Sequence, residues 1–210
     1  MNFHQPLENW VWGGNRMDLA VKLATGKSVL HVGCVDEGIV SRETLHQKLG
    51  KVASKIHGVD VIDKKEDGYT FFNFERNVAK FKTTEYIDNG PKEPSIGTIE
   101  KVLFPEIDIV ICTEVLEHLD GVCPLLRNLR SVGAEEYFFS VPNGFSWEHR
   151  SLLGQDIELI HPDHRCWFSP YTLENVLKKA GYEPKEKFML GWGAQPALVF
   201  TAEGVGMLAV

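Results

Sequence analysis

With 210 residues, 43% of them hydrophobic and 24% charged, the chain suffices for one domain with a substantial buried core. Its net charge of −7 argues against a dedicated nucleic-acid binder, because the phosphate contribution to binding needs a concentrated basic surface. No apolar run approaches a membrane span, and MNFHQPLENW lacks the basic-then-apolar pattern of a secretory signal, so a cytoplasmic protein is expected.

In chain order, residues 1–14 form an aromatic-rich lead-in with Trp10, Trp12 and a Gly13-Gly14 break. Residues 15–25 read as a helix stopped by Gly26. Val29 to Val32 is a short apolar strand that breaks at Gly33, in a loop running through Cys34, Val35, Asp36 and Glu37 to Gly38. A strand, a glycine turn and a helix start form the arrangement by which α/β sheets hold nucleotide-like ligands. Glycine serves there because the absent Cβ lets the backbone turn sharply and approach a ligand. A helix is expected over about Val40 to Leu49, ended by Gly50.

Ile56 to Asp63 reads as a second strand ending in carboxylates, and Tyr69 to Phe74 as a third. Residues 88–98, with Gly90, Pro91, Pro94 and Gly97, are a loop. Ile107 to Thr113 is an apolar buried strand, followed by a helix start with Glu114 and Glu117 in its first turn. Glu136 to Asn143 is a further strand, limited by Pro142, which cannot continue a central ladder. A helix over Tyr171 to Ala180 has Ser169 and Pro170 at its start and Gly181 at its end. Phe188 to Gly191 and Ala197 to Thr201 form a closing hairpin. The basic clusters Lys48 to Lys55 and Arg76 to Lys82 read as solvated helix faces or loops. Cys34, Cys112, Cys123 and Cys166 are scattered without a CxxC pair, which points to free thiols and not to a disulfide framework or zinc knuckle. There is no linker or internal repeat, so residues 1–210 are read as one domain, with 1–25 as a lead-in that could serve as a lid.

The runs VLHVGC at 29–34, GVD at 58–60, IDIVICTEVLEHL at 107–119, SVPN at 140–143 and HPDHRCWFSPYTLENVLKKAGYEP at 161–184 together resemble the class I S-adenosylmethionine-dependent methyltransferases. The resemblance implies an α/β fold, a three-layer αβα sandwich. Its Rossmann-like, seven-stranded, mostly parallel sheet would carry an antiparallel C-terminal hairpin. It also implies S-adenosylmethionine as cofactor. Gly33, Cys34, Val35, Asp36 and Gly38 would lie against the methionine part. Asp60 would hold the ribose, with Asp63 as the competing carboxylate and Val61 beside the adenine; Asn73 and Glu75 end the third strand near the adenine amino group. Thr113 and Glu114 would come near the sulfonium. Two positions depart from the family pattern: His31 stands where an acidic residue is usual, and Val35 where glycine is usual. Asp36 or Glu37 can substitute for the missing carboxylate.

A hydroxyl acceptor needs a base or a metal to take its proton. Glu114, Glu117 and His118 would share one face of a helix starting here, and His161 and His164 lie further along. His118 and His164 are the candidate general bases. The Glu-x-x-Glu-His run with a distant histidine is similar to the metal site of small-RNA 2′-O-methyltransferases, and to part of the set in some ubiquinone-pathway O-methyltransferases. The same run occurs in enzymes of the superfamily that use no metal, and no metal ligand is assigned. Trp10, Trp12, Phe145, Trp147, Trp167 and Phe168 are candidates to frame the acceptor, with His149 and Arg150 nearby. The expected function is methyl transfer, by O-methylation, to a small hydroxylated metabolite or saccharide, with no nucleic-acid or membrane partner. The alternatives are a metal-assisted RNA 2′-O-methyltransferase and a non-catalytic cofactor-binding homologue. Neither the acceptor nor the oligomeric state is specified by the residues.

Overall fold

The computed structural model describes residues 7, 9–34, 43–59, 106–190 and 197–204, together with the backbone of 70–75 and 77–82. In chain order the elements are β1 (Trp10–Trp12), α1 (Arg16–Ala24), β2 (Ser28–Val32), α2 (Leu45–Val52), β3 (Lys55–Val59), β4 (Thr70–Glu75) and β5 (Asn77–Lys82). They continue with β6 (Ile109–Thr113), a 3-10 turn (Leu116–His118), α3 (Val122–Ser131), β7 (Glu136–Pro142), α4 (Trp147–Leu153), α5 (Pro170–Lys179), β8 (Tyr182–Leu190) and β9 (Ala197–Gly204).

Local chemistry sets the helix ends. Asn15 caps α1, its side-chain oxygen accepting from the backbone N–H groups of Met17 and Asp18. Thr44 and Gln47 form a reciprocal capping box that starts α2 at Leu45, later than the expected Val40, and the helix runs through Gly50 to Val52. The same device, Ser169 with Thr172, starts α5, and Pro170 takes the first helical position, where its missing N–H costs nothing.

All strands join one sheet in the order β1-β8-β9-β7-β6-β2-β3-β4-β5. Every residue of β2 (SVLHV) and β6 (IVICT) is buried, as expected of central strands covered on both faces. The four strands β3, β2, β6 and β7 are parallel; β9 runs antiparallel to β7 and β8, forming the expected C-terminal hairpin. Among the described residues the sheet thus has nine strands, two more than the seven expected. One addition is β1, which the lead-in contributes by pairing parallel to β8, with Trp10 packed edge-on against Phe200. The other is β5, which pairs antiparallel with β4 and turns the supposed basic surface cluster after Arg76 into a strand. Within its NVAKFK sequence, Ala79 to Lys82 alternates apolar and charged residues, a period-2 pattern suited to a strand.

Two apolar clusters flank the sheet. On one face Leu125, Leu126 and Leu129 of α3 and Leu173 and Leu177 of α5 pack with Val110, Tyr137, Phe139 and Phe200. On the other, Ala20 and Ala24 of α1 and Leu45 and Leu49 of α2 pack with Val29, Ile109, Ile111 and Phe138. Helices on both faces make the expected αβα sandwich. Tyr182 is buried between α3 and the sheet, and its hydroxyl donates to the Leu126 carbonyl at 2.6 Å. None of the four cysteines is in a disulfide, and Cys34 and Cys112 are buried. The carboxyl ends of β2, β6 and β7 bring Gly33, Glu114 and Asn143 to one rim, where ligands of open α/β sheets bind.

Candidate active site

The strand-turn at the end of β2 is packed directly onto the segment leaving β6. Gly33 has φ +77°, and its N–H donates to the Val59 carbonyl at 2.9 Å. A Cβ at this position would lie 2.4 Å from Val115 Cγ2 and 3.1 Å from the Thr113 carbonyl oxygen. The glycine thus lets the first loop and the Thr113–Val115 segment touch. Cys34 follows it, buried. Val35, Asp36, Gly38, Asp60, Val61 and Asp63 lie outside the described residues, and the strand holding Asn73 and Glu75 is described in its backbone alone.

His31, at the position where the family pattern is usually acidic, is 1% exposed. Its Nδ1 lies 3.0 Å from Nδ1 of His46 on α2, and its Nε2 lies 3.5 Å from the Thr113 hydroxyl. One ring must donate and the other accept across the short contact. Burial, reinforced by His46, pushes the His31 pKa down to about 3, and burial lowers His46 to about 4. Both rings are neutral at pH 7, so no charge stands here, positive or negative.

Glu114 adopts φ +53°, which no helix start allows. Its carboxylate meets Arg16 Nη1 at 2.5 Å and accepts from the Ser140 hydroxyl at 3.0 Å. Its N–H donates to the Ser140 carbonyl at 2.9 Å, which extends the β6–β7 ladder by one residue. The expected helix after β6 is therefore a correction: a single 3-10 turn, Leu116–His118, follows, and α3 begins only at Val122, after Asp120-Gly121. Glu114 and Glu117 consequently do not share a helix face. Arg16 and Ser140 escaped sequence reasoning because neither belongs to a motif. Arg16 reaches the site because the Asn15 cap starts α1 there.

Glu117 is 1% exposed, and neither carboxylate oxygen has a hydrogen-bond partner. Burial, with Glu114 nearby, raises its pKa to about 8. Its backbone carbonyl accepts from the N–H groups of Arg165 at 2.7 Å and Cys166 at 3.3 Å, and Arg165 pairs with Asp120. These bonds bring the His161–His164 loop over the 3-10 turn. The His118 and His164 rings meet edge to face at 4.7 Å, and His161 stands 5.7 Å and 5.5 Å from them. Glu117 Oε1 is 3.9 Å from His118 Nε2 and 4.0 Å from His164 Nε2. Burial lowers the pKa of His118 and takes His164 to about 4, each helped by a neighbouring histidine. The two candidate bases are thus together, both as neutral imidazoles.

The six aromatic candidates divide. Phe168 belongs to the core, Trp10 packs on Phe200, and Trp12 is exposed on an edge strand separated from β6 by β8, β9 and β7. Trp167 faces the cluster, its ring 6.1 Å from His164 and 4.8 Å from His149, while its Nε1 donates to Glu158 at 2.8 Å. His149 is fixed through a 2.8 Å Nδ1–H bond to the Asn143 carbonyl. Phe145 and Trp147 stand exposed beside it at the start of α4.

A methyltransferase-domain family model matches residues 11–187. No curated protein sequence matches. Among solved structures, a SAM-dependent methyltransferase from Aquifex aeolicus aligns with TM-score 0.55 and 15% identity over 90% of each chain. Magnesium protoporphyrin IX methyltransferase from Synechocystis PCC 6803, solved with bound SAH, aligns with TM-score 0.54 and 17% identity over 90% of this chain and 81% of that one. The small RNA methyltransferase HEN1 aligns with TM-score 0.51 and 15% identity over 90% of this chain, but only 25% of its own. The family match spans most of the sequence and the fold agrees with it: the chain belongs to the methyltransferase-domain family, as an S-adenosylmethionine-dependent methyltransferase of the class I type.

Proposed function

We propose that the protein methylates an oxygen of a small hydroxylated acceptor, a saccharide or polar metabolite, within a single domain. The sulfonium of S-adenosylmethionine already carries a good leaving group, so positioning and exclusion of water supply most of the acceleration. Gly33, Cys34, Val35, Asp36 and Gly38 take the methionine part, Asp60 and Val61 the adenosine, and Thr113 and Glu114 the surroundings of the sulfonium. Arg16 holds Glu114 in place through their ion pair. The acceptor lies between this rim and Trp167.

The observation that carries the oxygen acceptor is the His118–His164 pair at the carboxyl end of β6. As the S–CH3 bond breaks and the O–CH3 bond forms, a neutral ring nitrogen can take the hydroxyl proton. A net charge of −7 favours a small acceptor over RNA. Among the described residues no helix is long and apolar enough to cross a membrane, and cysteines outside any disulfide suit the reducing cytoplasm.

Methyl transfer from labelled S-adenosylmethionine to a panel of sugars, polyols and phenolic metabolites tests this reading. His118→Ala and His164→Ala should each lower kcat by roughly 10²-fold, with little change in cofactor affinity. Transfer confined to amine or thiol acceptors would contradict it.

A further inference from the structure

Three histidines meet at one end of the sheet, two of them beside a buried carboxylate without a hydrogen-bond partner. One nitrogen from each of His118, His161 and His164 lies within 4.8 Å of the others. Glu117, buried and with both oxygens unpartnered, points its Oε1 between His118 Nε2 and His164 Nε2. A buried carboxylate without donors is costly unless something positive joins it. Glu114 is not part of this group, because Arg16 and Ser140 hold its carboxylate. The geometry therefore differs from the two-glutamate, two-histidine set that the linear Glu-x-x-Glu-His pattern suggests.

We infer that His118, His161, His164 and Glu117 form a binding site for a divalent transition-metal ion of the zinc or cobalt class. Three imidazoles and one carboxylate suit such borderline ions, whereas magnesium and calcium prefer all-oxygen shells. Tetrahedral coordination at about 2.1 Å needs ligand atoms roughly 3.4 Å apart. The present spacings call for a closure of about an ångström, in which His161, 58% exposed at its side chain, would give up the 3.3 Å bond its Nδ1 accepts from the Asp163 N–H.

Binding of the ion stands on this cluster alone, while its part in catalysis rests on the oxygen-acceptor reading above. There the ion would take over from the imidazole base: expanding to a fifth ligand, it would take the acceptor hydroxyl and make it more acidic. The proton passes to a solvent water as the O–CH3 bond forms and the S–CH3 bond breaks, leaving S-adenosylhomocysteine.

The test is a titration of tag-free, metal-stripped full-length protein with Co²⁺, read by visible absorption, alongside His161→Ala and Glu117→Gln. The exposed position of His161 keeps its variant folded, and circular dichroism checks both. One equivalent of Co²⁺ should bind with the bands of a nitrogen-rich site, and each variant should bind about 10- to 100-fold more weakly. Absence of saturable uptake, or variants that bind like the parent, would overturn the site. Calorimetry with S-adenosylmethionine on the same samples separates the two readings, since its failure would strike the methyltransferase assignment and leave the ion site standing. Transfer that persists at full rate after chelation would overturn the ion's catalytic part.

Discussion

Gly33→Ala should destabilise the protein by about 3 kcal/mol and abolish cofactor binding. Two costs add. At φ +77° an alanine pays for a left-handed backbone, and its Cβ would sit 2.4 Å from Val115 Cγ2 and 3.1 Å from the Thr113 carbonyl. The clash cannot be relieved at a flexible tip. Val115 is one residue from Glu114, itself left-handed and tied to Arg16 and Ser140, and Thr113 is the last residue of β6. Relief must separate the two segments, and the proposed cofactor site lies where they meet. For a chain of this length the loss corresponds to a fall in Tm of roughly 6–12 °C. Gly26→Ala is the control: its φ is +75° but a Cβ there meets nothing within 4 Å. It should cost only the backbone share, about 1 kcal/mol. Urea melts that give equal losses for both variants would contradict the packing argument.

Acid should unfold the protein early, and the His31–His46 pair should be a principal cause. Both rings are buried and neutral in the folded state, with pKa values pushed down to about 3 and about 4. In the unfolded chain each titrates near 6.5. Between pH 6.5 and about 4 the unfolded state therefore binds more protons than the folded one, and stability must fall as pH falls. Each ring contributes a slope of about 1.4 kcal/mol per pH unit in that window, and nothing above it. His46→Gln removes one ring and should lower the slope of unfolding free energy against pH by about that amount. Denaturant melts at pH 7.0, 6.0 and 5.0 check it, and parallel curves for the two proteins would refute the pair's role.

The central elements were legible because their signals are local. SVLHV and IVICT are short, mainly apolar runs, which fits strands buried on both faces. Ser169-Pro170 announces the start of α5 from its own side chains. What could not be read depends on contacts distant in sequence. The helix expected after β6 is replaced by a 3-10 turn around Glu114, whose left-handed backbone is accompanied by contacts to Arg16 and Ser140, far away in the chain. β1 has only three residues, and it is a strand because β8 offers it an edge. β5 carries two lysines, and its charge masked the short alternation over Ala79 to Lys82. The candidate bases His118 and His164 could be singled out as residues, but their meeting is made by the Glu117 carbonyl accepting from Arg165 and Cys166. His31 was visible as a departure from the pattern, whereas its partner His46 sits fifteen residues on, in another element.

The most direct test of the account is calorimetric titration of the purified protein with S-adenosylmethionine, beside Asp60→Ala. The account predicts one site with a micromolar dissociation constant, lost in the variant as the ribose loses its carboxylate. Absence of binding to the parent protein would contradict it, and would mean that the loop from Gly33 to Gly38, with histidine and valine at two family positions, has given up the cofactor.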